Sequence, residues 1–470
     1  METRQLQPLH RPPQPAPRRP RPQRSATTVR YLAPDVARGM ALLGIILANI
    51  PTAWLPHYGA EYAEHFGGYS GAPTLAEQLC IVFQAMFVHV RGLPMFSTLL
   101  GVGIGMIAVS LAKRGYTPKE ARRLMIRRYA WLLALGAVHM ALLFSGDIMV
   151  TYGCLGIIVA FLLRRSDTAL RWIAGVCFAL MALGTATPVI TFGGDPDLLA
   201  DKVGTIPVDA PTTGAELLNN LGTVLVSVIA TPFFALLLLP PVLVGYIWGR
   251  AGVLGNVADH RRELTCWVWV AVTVILLVGL PWGLSAIGVL PYEWEATLHS
   301  ANVVMGLLTG PGIVAAVALA LEPMQRRVEA GAGTPWWLRP FVALGKRSMS
   351  GYVGQSLIMV PILLTVPAST LLALTIPQQM WLGVLVWAIT LVAACLLELA
   401  GQPGPFERLH RRLSYGKQGL RPQISSTSTS GLLLDDASRT ATPSQPTSVA
   451  TMWEPGASGE SASARGVVSP

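Results

Sequence analysis

Charged residues are scarce in this chain, and their scarcity argues against a soluble domain. Only 13% of the 470 residues are charged, whereas soluble globular proteins carry about 25%. The mean hydropathy of +0.50 agrees with this. No long soluble domain can be marked out between the apolar segments, and a lipid bilayer accommodates that much apolar sequence. The sequence therefore predicts a membrane protein whose main partner is the bilayer.

Signatures of metal, redox and nucleotide chemistry are also missing. No two of the five cysteines have the spacing of metal ligands, and all five lie within or at the ends of apolar segments, as small buried hydrophobic residues do. The glycine-rich string from Gly101 to Gly105 lies inside an apolar segment, so it is not a phosphate loop. No nucleophile elbow is found either. The sequence predicts neither a metal nor a cofactor.

Apolar runs of spanning length make up most of the chain. A spanning helix needs about 20 such residues, and ten runs come close to that length: 37–55, 92–112, 129–145, 148–164, 172–190, 221–249, 264–289, 301–321, 348–366 and 380–399. The run at 221–249 is too long for one straight span, and Pro232, Pro240 and Pro241 predict a kink or a break in it. The predicted fold class is all-α, a polytopic integral membrane protein with about ten transmembrane helices.

The two ends of the chain differ in composition from its middle. Residues 1–30 are rich in Pro, Arg and Gln, and residues 417–470 are rich in Ser, Thr, Pro and Gly. Both are predicted to be disordered. A basic stretch before the first apolar run resembles a signal peptide, but no convincing cleavage site follows, so this run is predicted to be an uncleaved span. The transmembrane helical domain is predicted to cover residues 31–416.

The distribution of basic residues predicts the orientation. If the amino terminus is cytoplasmic, the inner segments hold 32 of the 35 Lys and Arg residues, and the outer loops hold only Lys202. This asymmetry follows the positive-inside rule and favours an even number of spans in the cell membrane, with both termini cytoplasmic. The basic residues lie in short clusters between spans, so nucleic acid is not a predicted partner. The basic stretch 406–415 is predicted to lie on the inner membrane surface.

Polar residues at the first span form one group of candidate site residues. Asp35 and Arg38 open this span at its cytoplasmic end, three residues apart, so they share a helix face and can pair. They can also serve only the helix dipole and the headgroup region. Asn49 follows eleven residues after Arg38, in the outer half of the span, where a lone Asn often makes only a helix–helix hydrogen bond.

A second group lies near the outer ends of later spans. Arg91 stands at an outer boundary, where a basic residue breaks the positive-inside pattern, so a buried partner or an anionic ligand is expected. His139 and Asp147 flank a short turn between two spans, which brings them to one level where a carboxylate can orient an imidazole. A satisfied core histidine beside an ordinary helix-start Asp is the alternative. With Asn49, these residues predict one polar site in the outer half of the membrane.

Several strings resemble the YeiB-type family of bacterial membrane proteins, whose common domain has no known function. They include Asp35-Val36-Ala37-Arg38-Gly39 with Asn49, Arg91 with the string at 96–101, and Gly136 to His139 with Gly146-Asp147-Ile148. Later strings are Gly345 to Tyr352 with Gln355-Ser356, and Gly404 to Gly416. The resemblance covers residues 30–416 in one order.

A more distant resemblance is to membrane acyltransferases that modify sugars and peptidoglycan. Their first helix carries an Arg and, after ten residues, a His taken as the catalytic base. Arg38 keeps the first position, but Asn49 stands at the second, and an amide is not a general base near neutral pH. If acyl transfer persists, another base is needed, and His139 with Asp147 is the best available.

Three functions fit these observations. The first is acyl or group transfer to a cell-envelope acceptor such as a glycan or small molecule, with His139 and Asp147 as catalytic residues. Asp35, Arg38, Asn49 and Arg91 then bind substrate, with an acyl donor approaching Arg38. The second is a small-solute transporter or exporter that uses Arg91, His139 and Asp147, although no internal inverted repeat is found. The third is a structural or regulatory membrane protein. The sequence alone does not decide whether the protein is an enzyme.

Overall fold

The regular structure of the described residues is helical throughout. The computed structural model describes residues 31–55, 66, 73–144, 146–192, 214–416 and 419–422, and across these ranges it contains helices and no strand. The all-α fold class is therefore confirmed. The predicted disordered segment 1–30 and most of the predicted tail 417–470 lie outside the described residues.

The helices are named in chain order. Those of the amino-terminal half are α1 (Leu32–Asn49), α2 (Leu75–Phe87), α3 (Gly92–Lys113), α4 (Pro118–Leu142), α5 (Ile148–Leu162), α6 (Asp167–Phe192) and α7 (Gly214–Ala251). Those of the carboxy-terminal half are α8 (Arg261–Val274), α9 (Leu280–Ala286), α10 (Glu295–Met305), α11 (Thr309–Glu329), α12 (Arg339–Lys346), α13 (Ser348–Thr365), α14 (Ala368–Leu372), α15 (Ile376–Leu399) and α16 (Pro405–Tyr415). Short π-helical turns continue α1 and join α8 to α9.

Many of these helices are suited to cross a membrane. Seven helical stretches among the described residues are long and apolar enough: Leu32–Trp54, Leu75–Lys113, Asp167–Thr185, Arg261–Ala286, Tyr292–Glu329, Ser348–Thr365 and Ile376–Leu399. The other three predicted spans coincide with α4, with the shorter apolar helix α5 and with the apolar segment Ala235–Ala251 of α7. The polytopic membrane fold is confirmed, whereas the number of about ten spans stays a prediction.

The break predicted in the sixth apolar run does not occur. Helix α7 continues from Gly214 to Ala251 through Pro240 and Pro241. Prolines are tolerated within transmembrane helices because neighbouring helices and local adjustments satisfy the backbone groups that a proline frees. Here α7 packs along α3, α5 and α6, so tertiary contacts on several sides hold the helix together.

Small residues let α3 and α7 approach each other closely. Gly101 and Gly105 on α3, and Gly245 and Gly249 on α7, are each spaced four apart. A Cβ atom added to Gly105 would lie 2.6 Å from the backbone nitrogen of Arg250, which leaves no room for a side chain. This is the small-residue packing typical of helices in membranes, where close backbone approach replaces a hydrophobic driving force.

Helix α1 lies at the centre of the helices that carry the polar residues. It contacts α3, α11, α12, α13 and α15. Around its carboxy-terminal half, a buried apolar cluster joins Ile46, Trp54, Phe144 and Met359, which come from α1, its π-helical continuation, the α4–α5 turn and α13. Large apolar side chains such as Trp172 and Trp381 are exposed on outer helix faces, as expected where helices contact lipid. The packing therefore places the α4–α5 hairpin beside α13.

Candidate functional site

The α4–α5 hairpin holds His139 and Asp147 in direct contact. Nδ1 of His139 lies 2.6 Å from Oδ2 of Asp147, and both residues are buried. The other carboxylate oxygen, Oδ1, accepts the backbone N–H of Val150 at 2.9 Å, so Asp147 also caps the start of α5. A buried acidic cap at a helix start is favoured by the helix dipole. The carboxylate is thus held from two sides and fixes the imidazole ring.

The second nitrogen of His139 contacts a serine on another helix. Nε2 lies 3.0 Å from Oγ of Ser356 on α13, a residue 217 positions away in sequence and equally buried. An ionised carboxylate only accepts hydrogen bonds, so Nδ1 carries the proton that faces Asp147. Nε2 of the neutral imidazole then accepts the hydroxyl proton of Ser356. Carboxylate, imidazole and hydroxyl therefore form one continuous hydrogen-bonded array, here called the triad cluster.

Aromatic side chains enclose the triad cluster. The ring of Tyr352, one helical turn before Ser356, lies 5.3 Å from the His139 ring between centroids. Its hydroxyl accepts the backbone N–H of Ile148 at 3.3 Å. Phe144 lies 6.5 Å from the His139 ring and stacks on Trp54 at 4.3 Å. These rings exclude water, and electrostatic interactions and hydrogen bonds strengthen in such low-dielectric surroundings.

Arg91 belongs to a separate group of contacts at the end of α2. Its guanidinium donates to the backbone oxygens of Met86 at 2.9 Å, Val90 at 3.1 Å and Ala85 at 3.3 Å. It also donates to Oδ1 of Asn302 on α10 at 2.7 Å. The last carbonyls of a helix lack partners within it and carry the negative end of its dipole. The arginine cluster, defined as Arg91, Asn302 and these three carbonyls, therefore places a cation on a helix end.

Local backbone strain accompanies the arginine cluster. Val90 has a φ of +55°, and among the described residues it is the one non-glycine residue with a positive φ. A β-branched residue is rarely found there. The turn at Val90 directs Arg91 back toward the preceding helix, so the strain is offset by the hydrogen bonds that Arg91 makes. The expected buried partner of Arg91 is thus found, and it consists of neutral oxygens.

The remaining predicted site residues lie along α1. Asp35 is buried, and its Oδ1 lies 3.6 Å from Nη1 of Arg38, as their spacing predicted. Nη2 of Arg38 also donates to the backbone oxygen of Leu99 on α3 at 3.2 Å. Asn49 is half-buried at the last position of α1. Among the described residues, no hydrogen bond joins Asn49 or Arg91 to the triad cluster.

The structure therefore brings together part of the predicted site. It unites His139 with Asp147 and Asp35 with Arg38, and it adds Ser356, which the sequence reasoning did not single out as a site residue. The signal for Ser356 was present in the Gln355-Ser356 string of the family resemblance. In the described ranges, no three His, Cys, Asp or Glu side chains are grouped so as to hold a metal ion.

Fold and site together define a multi-pass helical membrane protein with a buried carboxylate–imidazole–hydroxyl array. Comparison with known proteins gives a family match over part of the chain. Residues 248–417 match the family described as "Protein of unknown function (DUF418)". This matched region includes Ser356 and α16, whereas His139 and Asp147 precede it.

Two curated relatives share part of their sequence with this chain. The "Uncharacterized protein YeiB" of Escherichia coli (strain K12) is 33% identical over 156 residues, which is 33% of this chain and 37% of the relative. The "Uncharacterized protein YxaH" of Bacillus subtilis (strain 168) is 29% identical over 158 residues, which is 32% of this chain and 37% of the relative. The chain thus covers 37% of the length of each relative. Over the matched part of the chain, the resemblance to the YeiB-like family is confirmed.

Proposed function

We propose that the protein is a membrane-embedded transferase that moves an acyl or related group to a hydroxyl of a cell-envelope acceptor, with His139 as general base. The observation that carries this proposal is the position of His139 between Asp147 at 2.6 Å and a hydroxyl at 3.0 Å. Both distances fall in the range in which a base and its orienting carboxylate operate. The proposal also places both termini in the cytoplasm, because the basic clusters lie on that side.

The chemistry follows from the two ring nitrogens. Acyl transfer to a hydroxyl requires removal of its proton as the oxygen attacks the acyl carbon, and Nε2 of His139 takes this proton when the acceptor hydroxyl stands where the Ser356 hydroxyl lies in the structure. Asp147 acts as a positioning residue, since it holds the proton on Nδ1 and stabilises the imidazolium that forms. General base catalysis of this kind contributes about 10²- to 10⁴-fold in rate.

The residues of α1 are assigned to substrate binding in this proposal. Arg38 is half-buried, lies toward the cytoplasmic end of α1 and is paired with Asp35. We assign it to the approach of the acyl donor, because a guanidinium at the membrane boundary binds anionic groups. Asn49, at the other end of α1, is assigned to the acceptor. Binding of substrate by Arg91 stays a prediction, since the contacts of its guanidinium are with protein oxygens.

Transport of a small solute is the second candidate function. The His139–Asp147 pair favours it, because buried ionisable pairs in membrane helices also serve as proton relays. The two functions differ in what a deletion strain loses. Loss of a transferase removes a modification from the envelope, whereas loss of an exporter raises the solute inside the cell.

Mass spectrometry of envelope lipids and glycans in a deletion strain tests the proposal. The parent gene is expected to restore the missing acyl group, whereas His139→Gln and Asp147→Asn are not. Gln and Asn keep hydrogen-bonding groups at these positions but supply no base and no carboxylate. Asp259→Asn, at an exposed position in the loop before α8, is the control and should restore the modification fully. Full restoration by folded His139→Gln would overturn the proposal, and accumulation of an intracellular solute would favour transport instead.

A further inference from the structure

We propose that Ser356 is the nucleophile of a two-step transfer, in which the acyl group is carried as an ester on the Ser356 hydroxyl. This inference rests on the proposed function and adds a covalent intermediate to it. It also replaces the approach of the donor at Arg38: the donor is taken to be an acyl ester that is dissolved in the bilayer and reaches the triad cluster directly. The evidence lies in the partner of the Ser356 hydroxyl, in the order of the three polar groups and in the surroundings of the two helices that carry them.

The hydroxyl of Ser356 differs from the helical hydroxyls that bond to the backbone of their own helix. Ser97, Thr98 and Thr365 each donate to the backbone oxygen four residues earlier, at 2.7 to 2.9 Å. This is the common arrangement for Ser and Thr inside a helix. The hydrogen bond of Ser356 instead joins Oγ to Nε2 of His139. Its proton is therefore directed at a base.

The order of groups is that of an activated nucleophile. Asp147 at the start of α5, His139 on α4 and Ser356 on α13 form a line of carboxylate, imidazole and hydroxyl. The side chains of His139 and Asp147 are 2% and 0% exposed. A nucleophile within hydrogen-bond reach of a base, and a base oriented by a third group, is the arrangement by which serine hydroxyls are activated on unrelated folds.

The proposed reaction balances in two steps. In the first, Oγ of Ser356 attacks the carbonyl carbon of the acyl ester while Nε2 of His139 takes the hydroxyl proton. The bond between the acyl carbon and the donor oxygen then breaks, and Nε2 returns the proton to the departing alcohol. In the second, the acceptor hydroxyl gives its proton to Nε2 and attacks the Ser356 ester. Ser356 leaves with that proton, and the acceptor keeps the acyl group.

Tyr352 is placed to stabilise the negative oxygen that forms in each step. It lies four residues before Ser356, so both side chains project from the same face of α13. Its hydroxyl oxygen accepts the Ile148 N–H, and within the described part of the chain its own proton has no acceptor. A donor on the same helix face as the reacting hydroxyl, and away from water, is what such a negative oxygen requires.

The exposed neighbours of the site indicate where the donor comes from. Val138 precedes His139 and is 57% exposed, and Leu357 follows Ser356 and is 52% exposed. Both are apolar, so α4 and α13 each present a lipid-facing surface next to the buried array. An acyl chain dissolved in the bilayer reaches this position laterally, without crossing a polar channel. A lipid-borne ester is therefore the donor class that the surroundings favour.

Covalent labelling of the purified protein in detergent tests the inference. The probe is a long-chain p-nitrophenyl ester, and peptide mass spectrometry locates the acyl group. We expect an acylated Ser356 in the parent, no adduct in Ser356→Ala, and labelling about 100-fold slower or more in His139→Gln. The control is Ser285→Ala, which removes another buried serine hydroxyl, one bonded to the backbone oxygen of Pro291, and should label normally.

A second variant distinguishes loss of the nucleophile from misfolding. Ser356→Cys keeps the size of the side chain and is expected to form a thioester that neutral hydroxylamine releases, unlike the ester of the parent. Envelope acylation by Ser356→Ala within about tenfold of the parent would overturn the inference. If His139→Gln were then inactive, the proposed function would still hold as direct transfer. If His139→Gln were also active, the proposed function itself would fail.

Discussion

The triad cluster and the arginine cluster are two buried polar groups that are satisfied in different ways. Arg91 is 2% exposed and donates to three backbone carbonyls and one amide oxygen. His139 is 3% exposed and contacts a carboxylate and a hydroxyl. Both arrangements remove the cost of placing polar atoms away from water. They differ in whether the partner groups can take up or release a proton.

This difference separates a structural role from a chemical one. Backbone carbonyls and an amide neither take up nor release protons near neutral pH, so the contacts of the arginine cluster join α2, α3 and α10 but offer no path for a proton. An imidazole between a carboxylate and a hydroxyl can move a proton along one line. A charged residue in a membrane helix is therefore weaker evidence for function than the identity of the side chains that surround it.

The largest expected effect is seen when one charge is removed from each cluster: one variant should lose turnover, and the other should lose stability. Asp147→Asn should lower turnover by about 10³- to 10⁴-fold, because the amide no longer holds the proton on Nδ1 of His139. Its stability should change little, since Asn is also a good helix cap. Arg91→Gln should lower the free energy of unfolding by about 2–4 kcal/mol, because carbonyls at the end of α2 lose their donor. If Arg91 serves the fold alone, turnover per folded molecule should stay within about twofold.

Acyl transfer rates and thermal unfolding of both variants, purified side by side, check this contrast. Rates are normalised to the folded fraction measured by size-exclusion chromatography. The comparison fails if Arg91→Gln folds normally but loses turnover, since Arg91 would then act on substrate. It also fails if Asp147→Asn keeps full turnover.

A smaller effect is expected from the glycine that lets the two helices of the hairpin meet. A Cβ atom at Gly136 would lie 2.6 Å from the Val150 nitrogen and 2.7 Å from Oδ1 of Asp147. Gly136→Ala should therefore displace Asp147 and destabilise the fold by about 1–3 kcal/mol. Turnover should fall as well, because the carboxylate of Asp147 both caps α5 and orients the base His139. Gly175→Ala on α6 is the matched control, since nothing lies within 4 Å of its added Cβ.

Unfolding midpoints and transfer rates of the two alanine variants test this prediction. Gly175→Ala should be as stable as the parent or slightly more so, because Ala favours a helix over Gly. Equal behaviour of the two variants would mean that the close contact at Gly136 does not position Asp147.

The helices were the most predictable part of the fold. Each of the ten predicted apolar runs coincides with helix in the described residues, since a run of about 20 apolar residues has few other stable structures in a bilayer. The spacing of Asp35 and Arg38 and the short turn between His139 and Asp147 predicted local contacts that the structure contains. Local geometry sufficed in both cases.

Contacts across long sequence separations were not predictable in this way. Ser356 meets His139 over 217 residues, and Arg91 meets Asn302 over 211. A lone Ser in an apolar run usually bonds its own helix, so nothing local distinguished Ser356 from Ser97. The role of Arg91 depends on the turn at Val90, which separates α2 from α3 within one long apolar stretch. Tertiary packing, rather than periodicity, decides these cases.

The smallest expected effect concerns a third buried polar group, His410 on α16. Its Nε2–H donates to the backbone oxygen of Arg128 at 2.8 Å, so its partner resembles those of Arg91 rather than that of His139. Burial, and then the nearby Arg128 guanidinium, lowers the pKa of His410 from 6.5 to about 4. The folded state therefore favours the neutral ring. This contribution to stability is complete above pH 6.5 and is lost as the pH falls toward 4.

When the pH falls from 7.5 to 5.5, the free energy of unfolding of the parent should decrease by about 1 kcal/mol more than that of a variant without this imidazole. His410→Gln is that variant, because the amide still donates to the Arg128 oxygen but does not titrate. Glu120, near the start of α4, adds nothing in this window, since hydrogen bonds from Thr117 and Arg421 lower its pKa to about 2. Thermal unfolding in detergent at the two pH values measures the difference. If the stability of the parent and of His410→Gln changed equally with pH, the ring of His410 would not be held neutral in the folded state. A backbone carbonyl partner would then be compatible with protonation at this position.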